Sequence, residues 1–126
     1  MTPSFPKCRL RIVLAPGVAF GPGKADLLQG LAETGSIRAA GSRLGMSYKR
    51  AWNLVGALNR DFAEPLVTTE KGGAGGGGGA RLTPLGHELL ERFRRIEAVM
   101  LEAGGADLSV LQGAVKSPLD GAGEEK

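Results

Sequence analysis

Tyr48, Lys49, Arg50 and Asn53 stand within six consecutive positions, and their side chains suit one kind of target. Lys or Arg can pair with guanine O6 and N7, Asn can bridge adenine N6 and N7, and Tyr can reach the backbone or a thymine methyl. They lie inside Ser36–Arg60, SIRAAGSRLGMSYKRAWNLVGALNR, whose five charged residues Arg38, Arg43, Lys49, Arg50 and Arg60 are all basic. Solvated surfaces usually mix signs, so a stretch with no acid points to an anionic partner.

Two short helices must position these residues. Ser36 can cap the first through its hydroxyl, and Ile37, Ala40 and Leu44 line its inner face. Gly45 supplies the turn. Ser47 can cap the second, on which Ala51, Val55, Leu58 and Phe62 recur at helical spacing, leaving Tyr48, Lys49, Arg50 and Asn53 outside that stripe. This is the helix-turn-helix plan, with the N-terminal polar residues of the second helix offered to a major groove. Arg38 and Arg43 suit phosphates, with Ser36 and Ser47 setting helix N-termini beside the backbone. Trp52, at the margin of the stripe, is expected as a buried anchor.

Around this pair the chain reads as follows. Cys8–Leu14 alternate as a half-buried strand, with Cys8, Leu10, Ile12 and Leu14 inward, and Pro16-Gly17 ends it. Residues 23–34 form an amphipathic helix closed by Gly35. Leu66–Glu70 and Ala80–Thr83 are two short strands, joined by a loop with seven glycines between Lys71 and Gly79. That loop lacks the Gly-Lys-Ser/Thr of a phosphate loop, so it reads as a wing flanked by Lys71 and Arg81. Thr83-Pro84 opens a final helix to Ala103. Its Leu85, Leu89, Phe93, Ile96 and Met100 share a face that Leu90, Val99 and Leu101 widen beyond one small core. Leu89, Leu90, Phe93, Ile96, Val99 and Met100 are therefore the expected dimerisation surface. Residues 104–126, rich in glycine and small side chains, read as a flexible tail.

Composition narrows the function. Residues 1–103 carry 14 Lys/Arg against 9 Asp/Glu, whereas residues 104–126 carry 2 against 4, so the folded part is the basic part. One cysteine and one histidine, Cys8 and His87, assemble neither a disulfide nor a zinc site. Cys8 reads as a small buried hydrophobe and His87 as a surface or interface residue. Glu88 and Glu91 face Arg92, Arg94 and Arg95 as ion-pair neighbours. There is no catalytic constellation, so no enzyme, metal or cofactor is expected. No run approaches the ~20 apolar residues of a membrane helix, and a cytoplasmic protein without a membrane partner is expected.

Residues 21–86 resemble the N-terminal DNA-binding domain of the ModE family, the molybdate-responsive transcriptional regulators. The matching pieces are ETGSI at Glu33–Ile37, GMSYKRAW at Gly45–Trp52, LN at Leu58–Asn59, and the ordered glycines, Ala80, Leu82-Thr83 and Gly86 over Gly72–Gly86. With the first strand and last helix, the similarity covers about Cys8–Ala103. The resemblance implies a winged helix-turn-helix related to that of LysR regulators. Full-length members continue into small β-barrels with a Ser-Ala-Arg-Asn type motif for molybdate. Here 23 residues follow the last helix and that motif is absent.

The expectation is a mainly α winged helix-turn-helix with a small β-hairpin and a long C-terminal dimerisation helix. Residues 1–103 form the domain and 104–126 the tail. Its partner would be double-stranded DNA, bound as a homodimer that regulates transcription of molybdenum-uptake or molybdoenzyme genes without its own molybdate-binding domain. The alternative is an interaction module paired with a separate sensor or full-length regulator.

Overall fold

The computed structural model describes residues 5–70 and 79–116. Its elements run β1 (Ile12–Ala15), β2 (Val18–Phe20), α1 (Pro22–Thr34), α2 (Ile37–Arg43), α3 (Tyr48–Asp61), β3 (Val67–Thr69), β4 (Ala80–Leu82), α4 (Pro84–Ala103) and α5 (Gly105–Gly113).

The N-terminal strand differs from the expectation. Pairing is confined to Ile12–Ala15, and Pro16-Gly17, with Gly17 at φ 77°, turns the chain back into β2 as an antiparallel hairpin. Ile12 faces Phe20 and Val13 faces Ala19, but the register shifts before Ala15 meets Val18. Leu14 is left without an opposite residue and points out, which strict alternation does not anticipate.

Helix α1 begins one residue before its expected start, because Pro22 suits a first helical position. It ends at Gly35, whose φ of 72° is readily adopted only by glycine and lets its N–H donate to the Leu31 carbonyl at 2.8 Å. Leu27, Leu28 and Leu31 on its inner face are fully buried, each burial contributing about 1.5–3 kcal/mol. Against them pack Ile37 and Ala40 of α2, Ala51, Val55 and Leu58 of α3, and Leu66, Val67, Ala80 and Leu82 around the second hairpin. Phe20 closes one end, its ring 5.0 Å from Phe93 and 6.3 Å from Phe62.

Strands β3 and β4 pair antiparallel, Val67 with Leu82, Thr68 with Arg81 and Thr69 with Ala80. The Ala80 N–H donates to the Gly35 carbonyl at 2.9 Å, tying β4 to the turn between α1 and α2. Lys71 and most of the glycine run lie outside the described residues.

Helix α4 has the expected bounds and cap, the Thr83 hydroxyl accepting from the Gly86 N–H at 3.0 Å. Its inner face is Gly86, Leu90 and Phe93. Leu90 and Phe93 are only 7% and 3% exposed, so they belong to the domain's own core rather than to the expected dimerisation surface. The helix is rotated so that i, i+4 and i+7 from Gly86 point inward, and Leu85 and Leu89 flank them half-buried. Ile96, Val99 and Met100 remain exposed.

The expected tail contains a further helix, α5. Its glycines stand at the ends, and the interior ADLSVLQ carries no breaker, so the glycine-rich composition gave too loose a reading. Leu108 is half-buried beside Gly104.

Candidate nucleic-acid interface

The approach of α2 to α3 is set by small residues. A Cβ on Gly41 would stand 3.0 Å from that of Ala51, and one on Gly30 of α1 would stand 3.0 Å from that of Ala40. The three helices therefore pack backbone to backbone. Between α2 and α3, Gly45 takes φ 71°, and the Leu44 and Met46 amides both donate to the Gly41 carbonyl at 3.0 Å. The turn is short, and both amides are held by one carbonyl.

Both caps are formed. The Ser36 hydroxyl accepts from the Ala39 N–H at 3.0 Å, and the Ser47 hydroxyl accepts from the Arg50 N–H at 3.1 Å. Ser47 thereby fixes the start of α3, where Tyr48, Lys49, Arg50 and Asn53 are all exposed. Ser47, Lys49, Arg50, Asn53 and Leu54 line one shallow depression. No described residue accepts a hydrogen bond or ion pair from the side chains of Lys49, Arg50 or Asn53, so these side-chain donors face solvent.

The two arginines of α2 and its C-terminus are engaged. The Arg38 guanidinium lies 4.6 Å over the Tyr48 ring. Arg43 pairs with Glu33 of α1, which also accepts from Gln29 at 2.7 Å. The Arg43 hydrogen bond, followed by that of Gln29, holds the Glu33 carboxyl below its ordinary value. Arg43 thus reaches the surface partly neutralised, which spacing alone does not reveal. Arg81 is exposed on β4 beside Thr68, and Lys71 lies outside the described residues.

Trp52 corrects the expectation of a buried anchor. It is 48% exposed and stacks on Tyr48, itself 44% exposed, with ring centroids 6.3 Å apart and planes 24° from parallel. The inward face of α3 is Ala51, Val55 and Leu58, and position 52 lies about 100° round the helix from Ala51, outside that face.

Asn59 is the residue whose role the sequence hid. Its side-chain oxygen accepts from the Leu66 and Val67 amides at 2.8 and 3.0 Å, and its nitrogen donates to the Val67 carbonyl at 2.9 Å. It locks the wing to the C-terminal half of α3. An Asn followed at short range by a proline-led strand is the only signal that could have marked it.

Away from this face, Asp26 accepts from Arg94 at 2.9 Å and pairs with Arg9 at 3.6 Å, joining α1 to α4 and the N-terminal segment. Burial opposes the Arg94 charge, but hydrogen bonds to Asp26 and Glu97 outweigh it and raise its pKa. Glu88 accepts from Arg92 at 3.2 Å, the neighbour pairing expected for that carboxylate. Cys8 is half-buried and His87 exposed. Among the described residues no group of three or more His, Cys, Asp or Glu could hold a metal ion, and no helix is long and apolar enough to cross a membrane.

Three helices packed through small residues, a capped second helix of the turn with its polar side chains open, and a hairpin locked beside it define a winged helix-turn-helix. Residues 24–87 match the family described as bacterial regulatory helix-turn-helix protein, lysR family, and the chain belongs to it.

Among relatives, the molybdenum-pterin-binding protein MopA of Rhodobacter capsulatus is 40% identical over 98 residues, covering 78% of this chain and 35% of its own. The molybdenum transport protein ModE of Herbaspirillum seropedicae is 45% identical over 76 residues, covering 60% of this chain and 28% of its own. The chain thus spans about a third of the length of the curated relatives it matches. Among solved structures, the crystal structure of the CbnR_DBD-DNA complex superposes with a TM-score of 0.54 at 27% identity, covering 71% of this chain and 95% of that one.

Proposed function

We propose that this chain binds double-stranded DNA by laying α3 in a major groove and regulates transcription from that position. The observation that carries the reading is the open face of α3, where Lys49, Arg50 and Asn53 have no acceptor among the described residues. These groups match guanine and adenine edges, while the capped helix N-termini and Arg38 suit phosphates. The likeness to a domain crystallised with DNA supports the same docking. Arg81 and Lys71 extend the contact through the wing.

The names of the relatives support control of molybdenum uptake or of molybdenum-using enzymes. A homodimer joined through α4 would set two α3 helices in successive grooves, about one helical turn apart. A second reading, an interaction module that pairs with a separate sensor or a full-length regulator, draws on the exposed Ile96, Val99 and Met100.

The test is duplex binding by the purified protein to its own upstream region, at two salt concentrations, with and without molybdate. Affinity that falls steeply with salt, and that Lys49→Ala with Arg50→Ala abolishes without changing oligomeric state, is the expected result. No binding at low salt would put the interaction module first. A response to molybdate would assign an oxyanion site to this chain.

A further inference from the structure

Two observations on α3 are left over once its polar residues are assigned. The first is the exposed Tyr48–Trp52 stack, with Arg38 over the tyrosine ring. Leaving two large rings half in water forgoes burial that the core could have used. The second is Gly56, in the interior of the same helix. Its φ is not positive, and a Cβ there would meet nothing within 4 Å. Glycine inside a helix is unfavourable relative to alanine, so nothing within the domain calls for it.

The two observations meet on one strip. Tyr48, Trp52 and Gly56 follow at i, i+4 and i+8, and Gly56 is three residues beyond Asn53, so this strip borders the polar face of Lys49 and Asn53. The major groove offers a single apolar group, the thymine C5-methyl. A half-exposed ring next to a helical position with no side chain is the shape that admits such a methyl closely, and the indole is braced on its other side by Tyr48, on which Arg38 lies in turn.

Resting on the reading that α3 enters a major groove, we propose that Trp52 is a specificity-determining residue that reads thymine methyl groups, with Gly56 providing the clearance. Arg38 and Tyr48 are positioning residues for the indole. The site this chain prefers therefore contains thymine in each half-site at a position next to those read by Asn53 and Lys49.

The experiment uses the full chain and duplexes that it selects from a random-sequence pool. Each half-site thymine is replaced singly by deoxyuridine, which removes only the methyl. Wild type should lose about fourfold in affinity at one or two positions, the value of one buried methyl group. Trp52→Ala should bind more weakly overall and show no further loss at those positions, while Trp52→Phe should keep part of the methyl dependence. Gly56→Ala should raise Tm and yet weaken binding about tenfold, a combination that a purely structural glycine would not give.

Wild type indifferent to every methyl, a selected half-site without thymine, or a Trp52→Ala variant losing as much as wild type would overturn the assignment and leave DNA binding intact. Gly56→Ala binding as tightly as wild type would overturn the clearance. No duplex binding by wild type would overturn this inference and the proposed function together. If Trp52→Ala fails to fold, the wild-type deoxyuridine series and Trp52→Phe still decide.

Discussion

Asn59 and Val67 exchange two hydrogen bonds, the Asn59 nitrogen donating to the Val67 carbonyl at 2.9 Å while its oxygen accepts from the Val67 amide at 3.0 Å. The side chain acts as one rung of a sheet, extending the wing onto α3. Asn59→Ala would strand backbone groups of Leu66 and Val67, both buried residues. The expected loss is about 2–3 kcal/mol in urea denaturation. Asn59→Asp keeps the acceptor but sets a carboxylate oxygen against the Val67 carbonyl, so it should not restore wild-type stability.

Gly86 sits against the chain entering the wing. A Cβ there would stand 2.2 Å from the Leu66 carbonyl oxygen, a distance only movement of backbone could relieve. Helix propensity alone would favour alanine by about 1 kcal/mol. Gly86→Ala should nevertheless destabilise by about 3 kcal/mol or more, read as a lowered Tm with β3–β4 amides losing exchange protection.

Glu33 holds Arg43, and its carboxyl lies below its ordinary value of 4.5 chiefly because of that hydrogen bond. The folded-state pKa is the depressed one, so the contribution is complete above the unfolded value and lost as pH falls through the folded value. The pH dependence of stability in that acidic window should shrink in Glu33→Gln. The same variant frees Arg43 for phosphate. Its DNA affinity at low salt should rise, and the slope of log K against log salt should steepen by about one.

The exposed large hydrophobic residues of α4 are Ile96, Val99 and Met100. Ile96→Glu with Met100→Glu should convert a dimer to monomer in sedimentation velocity without lowering the monomer's unfolding free energy by more than about 0.5 kcal/mol per site, as expected for surface sites. Leu90→Ala, by contrast, should cost about 2–5 kcal/mol from core burial alone.

What the sequence made legible was periodic or capped. The two serine caps, the glycine turn, the core stripe of α3 and the bounds of α4 all follow from local rules, since each is decided within a few residues. The missed features depend on contacts between distant segments. Trp52, at the margin of the stripe, stands 48% exposed because the rotation of α3 turns Ala51, Val55 and Leu58 inward, and that rotation is set by contacts with other elements. Leu90 and Phe93 turn inward because α4 rests with Gly86 against Leu66, a rotation that periodicity cannot report. Arg43 looked free because its acid lies on another helix, and Asn59 looked like a motif fragment because its partners lie across a turn.

Leu66 joins more of the molecule than its size implies. Its amide is held by Asn59 of α3 at 2.8 Å, its carbonyl accepts from the Thr83 amide at the head of α4 at 2.9 Å, and Gly86 rests on that carbonyl. One peptide unit is thus clamped from both sides and links α3 directly to the head of α4. A torque applied along α4 would arrive at α3 as rotation instead of being absorbed on the way, so the domain is built as a crank.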